Sequence, residues 1–376
     1  MSIEIKQLTP TSKQLNEYVR FGIDLYEGND YFVPPLVTDE VESLSPKKNP
    51  AFDMCDAQSF MAYRDGKPAG RITAIVNRAV NERTGRKEAR FGFVDFIDDN
   101  EVVDMLFEAA EQWARDRGMT EIIGPMGFSD MDHEGMLIDG FDEMGTMATI
   151  YNYPYYPTQV ERLGYAKDVD WVEYQITIPD AIPEKMERIA NIVREKYGMR
   201  VIHYTDRKKL ADDYGKKLFE LINESYDSLY GYSPLSERQI QYYIDHWLGV
   251  LRLDCVSLIV DPEGALVGVG ISIPSLSKAL RASGGKLLPF GWYHILKALK
   301  GHNDVVDLML VAVKPEYQSK GVNALLFADL IPIYRKNGYR YAESNLELED
   351  NASVQQQWKF FERRLHRRRR AYRKQL

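Results

Sequence analysis

Residues Leu308 to Leu326 read LMLVAVKPEYQSKGVNALL, and the fold is decided there. Leu308 to Val313 is an apolar, β-branched run, the pattern of a buried strand. Lys314 and Pro315 end it, because proline cannot donate to a sheet ladder. A short polar loop, Gln318-Ser319-Lys320-Gly321, precedes an apolar helical pattern that starts near Val322. A strand, a glycine-bearing turn and a helix make an anion cradle. The N–H groups of the first helical turn converge on one point, with the helix dipole behind them. By itself the arrangement is common and is often only structural.

Working outward, the rest of the chain repeats this unit. The hairpin DAQSFMAYRDGKPAGRITAI, from Asp56, sets Asp65-Gly66 between two apolar runs. DCVSLIVDPEGALVGVGISI, from Asp254, matches it through Asp56 with Asp254, Ser59 with Ser257, Gly66 with Gly264, Gly70 with Gly268 and Ile75 with Ile273. Farther on, strand Phe91–Phe96 precedes NEVVDMLFEAAEQWARDRG as LMLVAV precedes GVNALLFADLIPIYRKNG. Leu106 falls on Leu326, Phe107 on Phe327, Arg115 on Arg335 and Gly118 on Gly338, the two glycines as helix C-caps. Each half reads helix, β-hairpin, strand, helix, strand, helix, strand. The expected fold is therefore α/β (α+β), a tandem duplication with domains at 1–180 and 181–376. The first half lacks the cradle: it has IDDNEVVD there, whose Asp98, Asp99 and Glu101 cap a helix but repel a phosphate. The second half carries an insertion, roughly Pro274 to Asn303, with a Gly-Gly turn, PFGW and a basic amphipathic helix WYHILKALK. It would build either a lid over substrate or a packing element.

The 376 residues suffice for two ordinary cores, and the composition, 44% hydrophobic and 28% charged, is globular. No apolar run approaches the ~18 residues of a membrane helix. MSIEIKQLTP has neither the basic nor the apolar region of a secretory signal. Cys55 and Cys255 make no disulfide framework. Together these predict a cytoplasmic protein. Net charge is −8, yet residues 363–376 hold Arg363, Arg364, Arg367, Arg368, Arg369, Arg370, Arg373 and Lys374 with no acid. An acidic body argues against a nucleic-acid partner. The basic end would meet phosphates, a membrane surface (a peripheral contact) or the protein's own acids.

The order V-x-V-x-P-x-Y-Q-x-x-G-x-N resembles the coenzyme A motif of the GNAT acyltransferases, Arg/Gln-x-x-Gly-x-Gly/Ala after an apolar strand. Gln318, Gly321 and Asn323 carry the match, Asn323 departing from the small residue of the family. With the repeat, the chain resembles a tandem GNAT protein, two GNAT-like domains each with a mixed, mostly antiparallel sheet flanked by helices. GPMGFS (Gly124 to Ser129), GMLIDGF (Gly135 to Phe141), YNYPYY (Tyr151 to Tyr156) and LELEDN are similar to the bacterial ceramide synthase-like group. The resemblance implies an acyl-CoA-dependent N-acyltransferase, acetyl or longer, with acyl-CoA as co-substrate and a small-molecule or lipid amine as acceptor. Long-chain transfer to a sphingoid-type base, with the basic end and WYHILKALK at a membrane, is one alternative. A non-catalytic module that binds acyl-CoA or a peptide is another.

By resemblance, Val311 and Val313 hold the pantetheine arm, and Gln318, Ser319, Lys320, Gly321, Val322 and Asn323 hold the pyrophosphate. The attacking amine must be neutral, so a base is expected. Glu343, Glu347 and Glu349 alternate along the strand after the motif helix and so share one face. Glu347 is the first choice, against a solvated strand face. Asn351 is either a cofactor contact or a helix N-cap. Where the family often places a tyrosine acid, this chain has Trp358, Phe360 and Phe361, with Tyr372 the one tyrosine to recruit. Tyr226, Tyr230 and Tyr232, with Tyr153 from YNYPYY, would line the acceptor slot or serve as packing. The histidines have no paired metal spacing, so no metal is expected.

Overall fold

The computed structural model describes residues 2–247 and 249–376. The chain folds into two compact units that do not follow one cut at 180/181. One unit comprises the chain up to Val172 with Ser277–His294 and His366–Leu376; the other comprises Glu173–Leu276 and Ile295–Leu365.

The first unit contains strands β1 (Ile3–Gln7), β2 (Cys55–Arg64), β3 (Lys67–Asn77), β4 (Glu88–Phe96), β5 (Glu121–Gly124) and β6 (Met136–Asp139). The next strand, β7 (Ala166–Thr177), passes from the first unit into the second at Val172. The second unit contains β8 (Arg200–Ile202), β9 (Val256–Val260), β10 (Leu266–Pro274), β11 (Val305–Val313), β12 (Tyr341–Glu343) and β13 (Glu347–Leu348). The last strand, β14 (Arg363–Gln375), returns to the first unit from His366 onward.

Both units are built to one plan. In the first, β1 to β4 are successively antiparallel and β5 joins β4 in parallel through Glu88–Glu121, Ala89–Ile122 and Arg90–Ile123. In the second, β8 to β11 are antiparallel and β12 joins β11 in parallel through Val305–Tyr341, Val306–Ala342 and Asp307–Glu343. In each unit the parallel ladder lasts three residues and then ends, so the sheet splays where β4 and β11 run on beside β3 and β10. The duplicated glycines explain themselves: Gly66 and Gly264 (φ 79° and 87°) turn the hairpins, and Gly118 and Gly338 (φ 74° and 83°) end the helices after them. Gly70 lies opposite Phe96, and Gly268 opposite Val313.

The neighbour of each parallel strand comes from the other half of the sequence. In the first unit β14 lies antiparallel on β5, Tyr372 opposite Gly124. In the second, the end of β7 lies antiparallel on β12, Thr177 opposite Tyr341. Of the partners open to the basic end in sequence, the protein's own acids and carbonyls are the ones it meets. Arg367 and Arg369 are 1% exposed and donate to the carbonyls of Met144 and Ile150. Arg370 makes a fork to Asp170, Arg373 meets Glu88, Glu121 and Asp168, and Lys374 meets Glu111. The acidic body is the partner of the basic strand.

The core of the first unit packs Phe60, Ile72, Phe91, Leu106 and Phe107 between sheet and helix Asn100–Arg115. That of the second packs Ile259, Val267, Val313, Leu325 and Leu326 with Ala190 and Val193 of helix Glu184–Tyr197. Each such side chain, fully buried, contributes roughly 1.5–3 kcal/mol. Among the described residues no helix is long and apolar enough to cross a membrane.

Candidate active site

The two splays differ in what fills them. In the first unit Tyr156 accepts the Phe96 N–H at 3.0 Å, and Tyr155 donates to the Phe96 carbonyl at 2.7 Å. Asp99 caps helix Asn100–Arg115 by accepting from the N–H groups of Glu101 and Val102, and it pairs with Arg64 at 2.7 Å. Edge and helix terminus are both sealed by side chains, as the acids of IDDNEVVD foretell.

In the second unit the corresponding helix, Val322–Lys336, starts at Gly321 with no side-chain cap. Pro315–Lys320 forms a 3-10 turn, and Gly321 reverses the chain at φ 83°. A Cβ there would stand 2.6 Å from Ile189 Cγ2, so both backbone conformation and packing require glycine. Gln318 does not point at the cradle: its Nε2 donates to the Val313 carbonyl at 3.1 Å and ties the turn to the strand. Lys320 is exposed, its ammonium 4.6 Å from the Tyr317 ring centre. Val322 is buried in the core. Asn323 Oδ1 is buried with no hydrogen-bond partner among the described residues. The side chain of Ser319 lies outside the described residues.

The strand edge is held by neighbours from helix Lys216–Tyr226. Tyr226 donates its hydroxyl to the Val311 carbonyl at 2.8 Å, and Ser225 donates to the Val313 carbonyl at 3.0 Å. Val311, opposite Gly270 of β10, is 38% exposed. Asn345 reaches across the splay and donates to the Met309 carbonyl at 3.2 Å. Tyr226 is thus at the site, and Tyr230 is half-buried four residues on. Tyr232 is corrected: it is fully buried, its hydroxyl donating to Asn223 at 2.6 Å. Tyr153 is packing in the first unit, against Tyr26 and Tyr155, with its hydroxyl on the Leu25 carbonyl. Tyr372 is in the first unit's core and donates to Glu161.

The three glutamates do not share a strand face. The strand breaks after Glu343, where the Ser344 hydroxyl accepts the Tyr174 N–H, and resumes only at Glu347. Glu349 is exposed, whereas Glu343 and Glu347 are each 8% exposed. Glu343 accepts from Gln175 and lies in register beside the buried Asp307 at the apex of the splay. Glu347 Oε1 accepts the indole N–H of Trp358 at 2.7 Å, while Oε2 is buried with no hydrogen-bond partner among the described residues. Burial pushes its carboxyl up to about 7, although the Trp358 hydrogen bond and the charge of Arg363 pull the other way. A carboxyl of that kind accepts a proton readily near neutral pH. Asn351 caps helix Ala352–Gln355, its Oδ1 accepting the Val354 N–H. Trp358 stands where the family often has a tyrosine, and its spacing from Glu347 carries no signal until the turn between them is known.

No protein-family model matches the chain. It is 31% identical over 316 residues to the bacterial ceramide synthase of Caulobacter vibrioides, covering 82% of this chain and 80% of that one. It is 29% identical over 323 residues to protein YghO of Escherichia coli K12, covering 85% and 81%. Among solved structures, a tandem GNAT protein from the clavulanic acid biosynthesis pathway matches 100% of this chain and 98% of its own at TM-score 0.58 and 13% identity. A GCN5-related N-acetyltransferase from Sphaerobacter thermophilus matches 99% and 95% at TM-score 0.51 and 12% identity.

Proposed function

The chain belongs to the tandem GNAT acyltransferase family, in the group of the bacterial ceramide synthase, and we propose that its second unit transfers an acyl group from acyl-CoA to an amine. The observation that carries the reading is Glu347, a buried carboxyl pushed up to about 7, with one oxygen that has no hydrogen-bond partner among the described residues. The first unit, with its edge and helix terminus closed by Tyr155, Tyr156 and Asp99, serves as scaffold.

In this reading the pantetheine arm lies along Val311 and Val313, displacing the hydroxyls of Tyr226 and Ser225 from those carbonyls. The pyrophosphate meets the uncapped helix terminus at Gly321, Val322 and Asn323, with Lys320 supplying a cation. Gln318 holds the turn against the strand. The acceptor arrives as an ammonium ion, for which the carboxyls of Asp307, Glu343 and Glu347 are a complementary surround. Glu347 takes one proton, and the free amine attacks the thioester carbonyl carbon. The tetrahedral intermediate collapses by breaking the C–S bond; Tyr226 gives its hydroxyl proton to the departing sulfur and takes the second proton of the nitrogen, so amide and free thiol leave with Tyr226 neutral and Glu347 holding the first proton. Tyr226 is the proposed donor, since its hydroxyl already sits on the strand edge. Asn351 acts through the helix it caps.

The acceptor class we favour is a long-chain lipid base, which the name of the Caulobacter relative supports. The test is release of free coenzyme A thiol from acetyl-CoA and from long-chain acyl-CoA, each with a sphingoid base and with short amines. Turnover confined to the lipid base supports this choice; turnover with short amines alone removes it and leaves the acyltransfer reading. Acyl-CoA binding without thiol release on any amine would establish a non-catalytic module.

A further inference from the structure

Six large apolar side chains are exposed within ten residues: Leu287, Leu288, Phe290, Trp292, Tyr293 and Leu296, with Leu288 at 77% and Phe290 at 71%. An apolar surface of this kind on a folded chain marks an interaction site. Around it stand exposed lysines, Lys286, Lys297 and Lys300. Residues 275–303 contain no aspartate or glutamate, in a protein of net charge −8. On helix Gly291–Lys300, Trp292, Leu296 and Leu299 form one stripe, at i, i+4 and i+7, with Lys297 and Lys300 beside it.

The tip is pre-formed. The Trp292 backbone N–H donates to Leu287 O at 2.9 Å, and its indole N–H donates to Pro289 O at 3.0 Å. Gly291 allows the tight approach of the Lys286 carbonyl, which a Cβ would meet at 1.6 Å. The segment is moored by the Val37 N–H on the Gly285 carbonyl and by Arg281 on the Asn29 carbonyl. Little order remains to be gained on docking, and these donors already have partners, so leaving water strands none of them.

We propose that this segment docks the protein on an anionic lipid bilayer, with Leu287, Leu288, Phe290 and Trp292 entering the headgroup layer and the lysines on the lipid phosphates. Aromatic and aliphatic tips flanked by lysine, in a segment with no acid of its own, fit a bilayer interface; an exposed acid beside it, Asp30, is paired with Arg281 at 3.5 Å. A symmetric contact with a second copy would set the same lysines against one another. The inference stands whether or not the acyltransfer reading holds.

The experiment is co-sedimentation of the full chain with phosphatidylcholine vesicles, with and without phosphatidylglycerol. Binding should favour the anionic vesicles and weaken with salt. Lys286→Gln, Lys297→Gln and Lys300→Gln together should weaken it by about fivefold per charge. Phe290→Ser with Trp292→Ser should abolish it while leaving the thermal unfolding midpoint unchanged. Failure of the wild type to pellet with either vesicle would overturn the proposal, as would a double serine variant that binds like wild type. So would a concentration-dependent dimer that the serine variant dissolves, without vesicle binding.

Discussion

The indole N–H of Trp358 lies 2.7 Å from Glu347 Oε1, a hydrogen bond made entirely in the protein interior. It favours the charged carboxylate against the burial that opposes it. Trp358→Phe removes the donor and keeps most of the ring packing against Phe327 and Phe361. The apparent pKa governing kcat/KM should then move upward by about one unit, for a hydrogen bond of about 1–2 kcal/mol. A pH–rate profile reads it, and an unmoved profile would separate Glu347 from the rate-limiting proton.

Glu347 must be ionised to act as base, so kcat/KM should rise with pH through about 7 and level off above it. Its folded value lies above its unfolded one. The folded state therefore holds the proton more tightly, and this residue's stability contribution is lost as pH climbs from the unfolded value through about 7. Glu347→Gln should abolish turnover and, above that pH, stabilise the fold by up to about 3 kcal/mol. Thermal melts at acidic and alkaline pH give the comparison; a variant that is both slow and unstable at high pH would mean a structural role.

Gly321 is a poor place to test coenzyme A binding, because any side chain there meets Ile189 as well as an unfavourable φ. Lys320 is exposed, with no such constraint. Lys320→Glu should weaken coenzyme A binding on the order of tenfold, by placing like charge beside the pyrophosphate, at little cost to stability. Calorimetric titration measures it, and unchanged affinity would move the phosphate site elsewhere.

Asn351→Ala should cost about 1 kcal/mol of stability through the lost cap, and Asn351→Asp should restore it. If the aspartate variant is stable yet inactive, Asn351 touches substrate as well as the helix.

Much of the fold is legible in sequence because its punctuation is local. Gly66 and Gly264, or Gly118 and Gly338, stand where a left-handed backbone is needed, and no partner elsewhere has to be known. Asp99 was readable as a cap for the same reason. What misled depends on distant partners. Glu343, Glu347 and Glu349 alternate as a strand should, but the Ser344 hydroxyl takes the Tyr174 N–H and the ladder breaks between them. The arginines of the last strand look like a solvated tail until Glu121, Asp168 and Asp170, far back in the chain, are placed beside them. Tyr232 sits among polar residues, and only the reach of Asn223 shows that its hydroxyl is spent.

The exchange of closing strands carries a consequence for how the protein is made. The first unit lacks the neighbour of β5 until His366–Leu376, about 240 residues farther along the chain, have left the ribosome. During synthesis Glu88, Glu111 and Glu121 lack the Arg373 and Lys374 contacts, Glu88 and Glu111 keeping Arg86 and Arg115, and the edge of β5 is open. While residues 125–365 are being made, the nascent first unit is a sheet with one edge open to other strands.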